Sequence, residues 1–182
     1  MVSQTFDING HPREGATRGT RADGQMLRHR LDVLAADTAD VVQTTGGWLF
    51  DRVMAGWEVN VLLPHGCPAR PLRVLGVQVL HLESELRAAG PMSPSLAVSV
   101  EAFTAHECVR ELVRRAVDNR LTEVALWGEG WPLGVNRGLT RTQYRLSAAA
   151  RAFKGQALRA AGIPYLSIDH TETLFTDSAW LG

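Results

Sequence analysis

The sequence predicts a doubly wound α/β domain with a single, mostly parallel six-stranded sheet and helices on both faces. Three observations lead to this class. Apolar runs of strand length recur along the chain, segments with helical spacing of apolar residues separate them, and the strand at Glu58–Leu63 is mostly apolar and does not alternate strictly, as strands buried on both faces do. A proline-containing segment divides the strands three and three, so the expected order is the Rossmann-like 3-2-1-4-5-6.

Composition supports one globular domain and excludes a global electrostatic partner. The 182 residues carry 19 acidic and 19 basic side chains, so no net field attracts nucleic acid or a membrane. No apolar run approaches 18 residues and the N-terminus lacks the apolar region of a signal peptide, so we expect a cytoplasmic protein. Lys154 is the only lysine, which indicates the coding bias of a GC-rich bacterial genome.

Residues 1–22 show no periodicity and predict a flexible N-terminal arm, followed by a single domain over residues 23–182. Its halves, residues 23–90 and 95–182, are joined by a crossover that contains Pro91 and Pro94. Asp23 suits an N-cap. Apolar residues then recur at helical spacing as far as Ala36, which predicts a helix ahead of the first strand.

The segment from Val41 to Leu63 organises the prediction. Val41–Thr45 predicts the first strand, Gly46-Gly47 a turn, and the residues after it a short helix that leads into the strand Glu58–Leu63. A turn at a helix start leaves backbone N–H groups free to bind an anion. The full dinucleotide fingerprint and the P-loop lysine are both missing, so a tight structural turn is the open alternative.

The rest of the chain alternates in the same way. A short helix at Pro71–Leu75 precedes a strand at Val77–Glu83, and Ser95–Phe103 predicts the first strand after the crossover. Thr104 and Glu107 have capping-box spacing for the next helix. The remaining predicted elements are a strand at Glu123–Trp127, a long helix at about Thr140–Ala161 and a final strand at Pro164–Ile168.

The predicted order places the switch point between the strands ending at Thr45 and Phe103, where two helix N-termini would face one crevice. We therefore expect a phosphate-bearing small molecule or nucleotide there. The candidate binding residues are Thr44, Thr45, Gly46, Gly47 and Thr104. A histidine titrates near neutrality, as acid/base chemistry requires, and the candidate catalytic residues are His106, His170 and Asp169.

A second hypothesis is a divalent-metal-dependent phosphodiester or phosphoryl hydrolase that acts on nucleic acid. Acidic residues at predicted strand ends would hold the metal, namely Glu83, Glu101, Glu129 and Asp169, although no diagnostic spacing defines a metal site. The basic face of the last helix would contact nucleic acid through Arg141, Arg145, Lys154 and Arg159. The alternative interpretation is that this basic face is simply the solvent-exposed outer side of the helix.

A third hypothesis is a non-enzymatic interaction module. Trp48, Trp57, Trp127 and Trp131 are large aromatic residues that would mark an interface if they were exposed and would belong to the core otherwise. Homodimer formation stays open. Cys67 and Cys108 form neither a C-x-x-C motif nor a disulfide framework, and no particular cofactor follows from the residues.

Overall fold

The computed structural model describes residues 29–88, 93–118, 123–132, 135 and 138–176. The predicted arm at residues 1–22 and Pro91 of the crossover lie outside them. The strands are β1 Arg30–Leu34, β2 Glu58–Leu63, β3 Gln78–His81, β4 Ser95–Ser99, β5 Glu123–Trp127, β6 Thr140–Arg145 and β7 Thr171–Thr176. The helices are α1 Thr38–Thr44, α2 Gly46–Met54, α3 Arg70–Val74, α4 Leu82–Arg87, α5 Val100–Ala105, α6 Glu107–Asp118 and α7 Ala148–Ala160.

The strands form a seven-stranded mixed sheet in the order β3-β2-β1-β4-β5-β7-β6. The five strands β1 to β5 pair in parallel with one another. β7 is antiparallel to both of its neighbours, β5 and β6. The α/β class is confirmed, and the first five positions have the expected order. The six-stranded Rossmann-like sheet is wrong. Along β6, exposed and half-buried residues alternate over most of its length, as antiparallel strands with one solvated face do.

The first strand was predicted in the wrong place. Leu31, Val33 and Leu34 form β1, whereas the sequence predicted helix up to Ala36. In so short an apolar run the same residues fit helical spacing as well as strand spacing, and the local pattern does not decide between them. Burial decides it, because β1 lies between two parallel strands, and Leu31 and Val33 have no exposed surface.

The predicted strand at Val41–Thr45 is likewise wrong, because these residues belong to or end helix α1. The Asp37 side chain accepts a hydrogen bond from the Asp40 N–H and so caps the helix. Val41 and Val42 are buried on one side of it. Their β-branched side chains favoured a strand in the sequence, but this preference is weak and packing overrides it.

Two further elements differ at the C-terminal end. The predicted helix over Thr140–Ala161 is divided into β6 and α7, because Ser147 caps α7 with its hydroxyl and thereby starts that helix anew. The predicted strand at Pro164–Ile168 is irregular, and the last strand is β7.

The sheet separates two apolar cores. One contains buried residues of α1, α2, α3 and α7 with one set of strand residues, including Val33 and Val61. The other contains buried residues of α4, α5 and α6 with the alternate set, including Leu34 and Leu62. Successive strand residues point to opposite faces, so this division follows from the pleat and from helices on both sides.

Candidate functional site

The site region lies at the carboxyl ends of β1, β4 and β5. β1 pairs with β2 on one side and β4 on the other, and the chain leaves β1 and β4 in opposite directions. The predicted switch point therefore exists, although β1 ends at Leu34 and not at Thr45. Ligands of open α/β sheets bind at such a point.

Asp40 is the carboxyl group that this topology brings into the crevice. It lies in the first turn of α1, directly after the end of β1. Its Oδ2 accepts a hydrogen bond of 2.8 Å from the indole N–H of Trp127, at the end of β5. Its Oδ1 accepts one of 3.1 Å from the Thr44 hydroxyl. Two donors from different elements thus fix the orientation of this half-buried side chain.

Burial raises the pKa of Asp40 above its usual value, the Trp127 hydrogen bond opposes that rise, and the negative charge of Glu101 adds to it. Glu101 lies in the first turn of α5, after β4, so both carboxyl groups follow strands at the switch point. A carboxyl group with a raised pKa is a better proton acceptor near neutrality, and such groups concentrate at functional sites.

A pocket of about 480 Å³ lies at this end of the sheet, and Asp40 reaches it through Thr44 and does not line it itself. Thr44, whose hydroxyl donates to Asp40, forms part of its wall, and the turn after Trp127 forms another part. Its surface is mainly apolar and includes one cationic and one anionic side chain. The lining residues are Thr44, Gly128, Glu129, Gly130, Trp131, Arg141, Thr173 and Phe175.

The helix start at Gly46-Gly47 binds an anion, but that anion belongs to the protein. The Glu172 carboxylate accepts hydrogen bonds from the Gly47 N–H at 2.9 Å and the Trp48 N–H at 2.7 Å. The Lys154 ammonium lies 2.6 Å from the same carboxylate and also donates to the Gln43 carbonyl at 2.6 Å. The Glu172 and Lys154 side chains are only 2% and 8% exposed.

The predicted ligand site at Gly46 and Gly47 is therefore occupied by Glu172. A Cβ at Gly47 would lie 2.6 Å from Cδ1 of Leu146 and 3.2 Å from Oε1 of Glu172, so this helix end is closely covered. Burial raises the pKa of Glu172, while Lys154 and the two N–H groups oppose the rise. The helix dipole favours a negative charge here, but that charge is Glu172 of β7 and not the bound ligand that the sequence predicted.

The sequence did contain a signal for this pair. Eighteen of the 19 basic residues are arginine, and Lys154 is the single exception. The Lys154 ammonium donates both to the Glu172 carboxylate and to the Gln43 carbonyl. The sequence-based interpretation had placed Lys154 on an exposed basic face.

The other predicted site residues lie on several separate elements. His106 is a half-buried residue between α5 and α6, while Asp169 and His170 are exposed ahead of β7. Their catalytic roles stay predictions. Thr45 is buried and donates to the Val41 carbonyl, so its hydroxyl satisfies the backbone.

The capping box at Thr104 is wrong. Thr104 lies inside α5 and donates to the Val100 carbonyl, whereas α6 begins at Glu107. Ser99 caps α5, its hydroxyl accepting from the Ala102 N–H. The binding role of Thr104 in the predicted crevice loses its basis, because it is not at a helix N-terminus.

The four basic residues that were predicted to contact nucleic acid lie on different elements. Arg141 and Arg145 lie on β6, and Arg159 on α7 stacks over the Tyr165 ring at 5.7 Å. Lys154 is buried in its ion pair. Nucleic-acid contact through these four residues stays a prediction. Trp48, Trp127 and Trp131 are at most 9% exposed and belong to the two cores.

Comparison with solved structures identifies proteins of the same fold at low sequence identity. The A40926 pseudoaglycone deacetylase Dbv21 matches with a TM-score of 0.54 and 16% identity, over 82% of this chain and 97% of that one. The zinc-inhibited form of teicoplanin deacetylase Orf2 matches with a TM-score of 0.52 and 13% identity, over 81% and 97%.

The conserved protein TT1542 from Thermus thermophilus matches with a TM-score of 0.51 and 17% identity, over 86% of this chain and 97% of that one. No protein-family model and no curated protein matches the chain. The fold is thus one found in deacetylases. The predicted binding of a nucleotide or phosphate-bearing molecule is wrong, because this fold likeness is to deacetylases and Glu172 fills the proposed anion site.

Zinc in one of these structures raises the question of a metal centre here. A zinc site needs three or four converging His, Cys, Asp or Glu donors. Among the described residues no group of three such side chains is arranged to hold an ion. The donor set in the described part of the chain does not fit a zinc centre.

No helix within the described residues is long and apolar enough to cross a bilayer. The cytoplasmic compartment expected from the sequence stays a prediction.

Proposed function

We propose that this chain is a hydrolase that removes an acyl group from an amide or ester bound in the pocket beside Asp40. Asp40 carries the proposal. Its carboxyl group has a raised pKa, lies at the switch point and is linked through the Thr44 hydroxyl to the pocket wall. Deacetylases occur among the structures of the same fold, which supports an acyl-transfer reaction to water.

The proposed step uses Asp40 as a general base and then as a general acid. The carboxylate accepts a proton from a water molecule, and the water oxygen forms a bond to the acyl carbon. The C–N or C–O bond then breaks, and Asp40 returns the proton to the leaving nitrogen or oxygen. The products are a carboxylic acid and an amine or alcohol. Trp127 and Thr44 keep the carboxyl group oriented throughout.

The test is acetate release from 4-nitrophenyl acetate, N-acetylglucosamine and N-acetyl-L-phenylalanine. Asp40→Asn keeps an oxygen that accepts from Trp127 but loses the base, so we expect kcat to fall by roughly 10²- to 10⁴-fold. Glu111→Gln removes an exposed carboxylate from α6 and should leave kcat unchanged. Turnover should persist when a chelator is present.

Three outcomes would reject the proposal: no acetate from any of the three compounds with or without added zinc, full activity in Asp40→Asn, or complete loss of activity on chelation.

Glu101 should contribute to the pH dependence of this reaction, because its charge adds to the effect of burial on the pKa of Asp40. A general base must be deprotonated, so activity should rise with pH through the pKa of Asp40. Glu101→Gln removes a negative charge that raises this pKa, and the acidic limb of the kcat/KM profile should therefore move to lower pH. The profile of Glu111→Gln serves as the control. A limb that stays in place, or moves to higher pH, would contradict the assigned coupling.

A further inference from the structure

The pocket beside Asp40 also indicates what kind of acylated molecule it binds. Resting on the proposed function, we infer that the substrate carries a single carboxylate, which pairs with Arg141, and an apolar group, which packs against Trp131 and Phe175. An N-acylated amino acid with an apolar or aromatic side chain has this combination. The charges and the strand register of the pocket both support the inference.

Arg141 is the cationic side chain of the pocket. It lies on β6 directly opposite Phe175 of β7, which pairs in turn with Leu126 of β5. Neighbouring strands lie about 4.8 Å apart, so two strand spacings put the Arg141 backbone roughly 10 Å from that of Leu126, the residue before Trp127. Arg141 and Thr44, the residue that donates to Asp40, both line the pocket.

The Arg141 guanidinium forms no ion pair within the described part of the chain. A planar guanidinium binds a carboxylate through two parallel hydrogen bonds. The pocket also contains Glu129, an exposed side chain of opposite sign. Its charge disfavours ligands with several negative charges, so the pocket fits a monoanion.

The surface between these charges is apolar and aromatic. Trp131 is 9% exposed and is fixed by a hydrogen bond of 3.2 Å from its indole N–H to the Trp127 carbonyl. Its ring also packs against Phe103, with centroids 5.0 Å apart. A rigid aromatic wall beside Phe175 favours a flat or branched apolar group of the ligand.

The test compares N-acetyl-L-phenylalanine with its uncharged amide, N-acetyl-L-phenylalaninamide. Calorimetric binding to the wild type and to Asp40→Asn, whose turnover is expected to be much slower, should favour the carboxylate on the order of 10- to 100-fold. Arg141→Ala should remove that preference, and Arg141→Lys should keep part of it. Arg145→Ala is the matched control, because Arg145 is an exposed arginine of the same strand outside the pocket lining.

Binding and turnover separate the two proposals. A carboxylate preference that depends on Arg141, without acetate release, would leave the ligand class standing and reject the hydrolase. Acetate release with equal kcat/KM for both compounds, or a preference that persists in Arg141→Ala, would overturn the ligand class. Failure of both compounds to bind at millimolar concentration would also overturn it.

Discussion

Lys154→Met is expected to lower the free energy of unfolding by about 3–5 kcal/mol, because it leaves the Glu172 carboxylate buried without its counter-charge. The ammonium is 8% exposed and lies 2.6 Å from Glu172. It also satisfies the Gln43 carbonyl near the end of α1. Methionine is similar in length and apolar, so the change removes the charge and the hydrogen bonds with little change in volume. Urea denaturation monitored by circular dichroism measures the effect.

The double variant Lys154→Met with Glu172→Leu should recover part of the lost stability, since it removes both charges together. Recovery should be incomplete, because Glu172 also accepts from the Gly47 and Trp48 N–H groups. Losing a helix cap costs about 1 kcal/mol. Arg159→Met, at an exposed position of the same helix, is the control and should change stability by less than about 1 kcal/mol. A single variant as stable as the wild type would refute the importance of the ion pair.

Lys154 also offers a direct chemical readout. It is the only lysine, so its side chain is the one ε-amine that an acylating reagent can modify. Because the amine is buried and paired, labelling at this position should be slow in the native protein and fast in urea. Rapid labelling under native conditions would contradict the closed ion pair.

Gly128→Ala is expected to destabilise the protein by about 2–5 kcal/mol and to disturb the Asp40 crevice. Gly128 has a φ of +90°, a left-handed conformation that costs an alanine roughly 1–2 kcal/mol. A Cβ would also collide with Cγ1 of Val100 and lie 3.2 Å from Cβ of Val100. Overpacking of this kind adds about 1–3 kcal/mol. Urea denaturation measures the loss.

Gly130→Ala is the matched control for this prediction. Gly130 has a φ of +86°, and a Cβ there would meet no atom within 4 Å. It should therefore show only the conformational cost, roughly 1–2 kcal/mol. Val100 starts the helix that carries Glu101, so Gly128→Ala should also lower acetate release. Equal losses of stability for the two alanines would show that the contact with Val100 is not tight.

The parts of the fold that the sequence predicted are those with strong local signals. β2 and β5 were predicted with their observed bounds, because each is mostly apolar and is followed by a proline or glycine. β1 and α1 were exchanged, since five residues rich in Leu and Val suit a strand only when parallel neighbours cover them. The antiparallel strand β6 is polar and has no apolar periodicity. The sequence therefore contains no strand signal there, and β6 was predicted as part of a helix.

The candidate site was likewise predicted only in part, because its location has a local signal and its contacts do not. The sequence placed a functional crevice at the switch point of the sheet, and the observed strand order has that switch point between β1 and β4. It did not single out Asp40, because the hydrogen bonds from Thr44 and Trp127 join residues up to 87 positions apart. The sequence also did not connect Lys154 with Glu172. The Glu172 carboxylate accepts a hydrogen bond at the start of α2 from Gly47, which lies 125 positions earlier in the chain.

From the sequence alone follow the α/β class, the alternation of strands and helices, and a helix start at Gly46-Gly47 that favours a negative charge. Each of these depends on short-range properties: apolar periodicity, turn residues and the dipole of a helix end. The tertiary structure decided that β7 supplies the anion, that Trp127 and Thr44 both donate to Asp40, and that Thr44 and Arg141 line one pocket. These features depend on which strands pair, and pairing between distant segments is set by burial of the whole sheet, which no local pattern encodes.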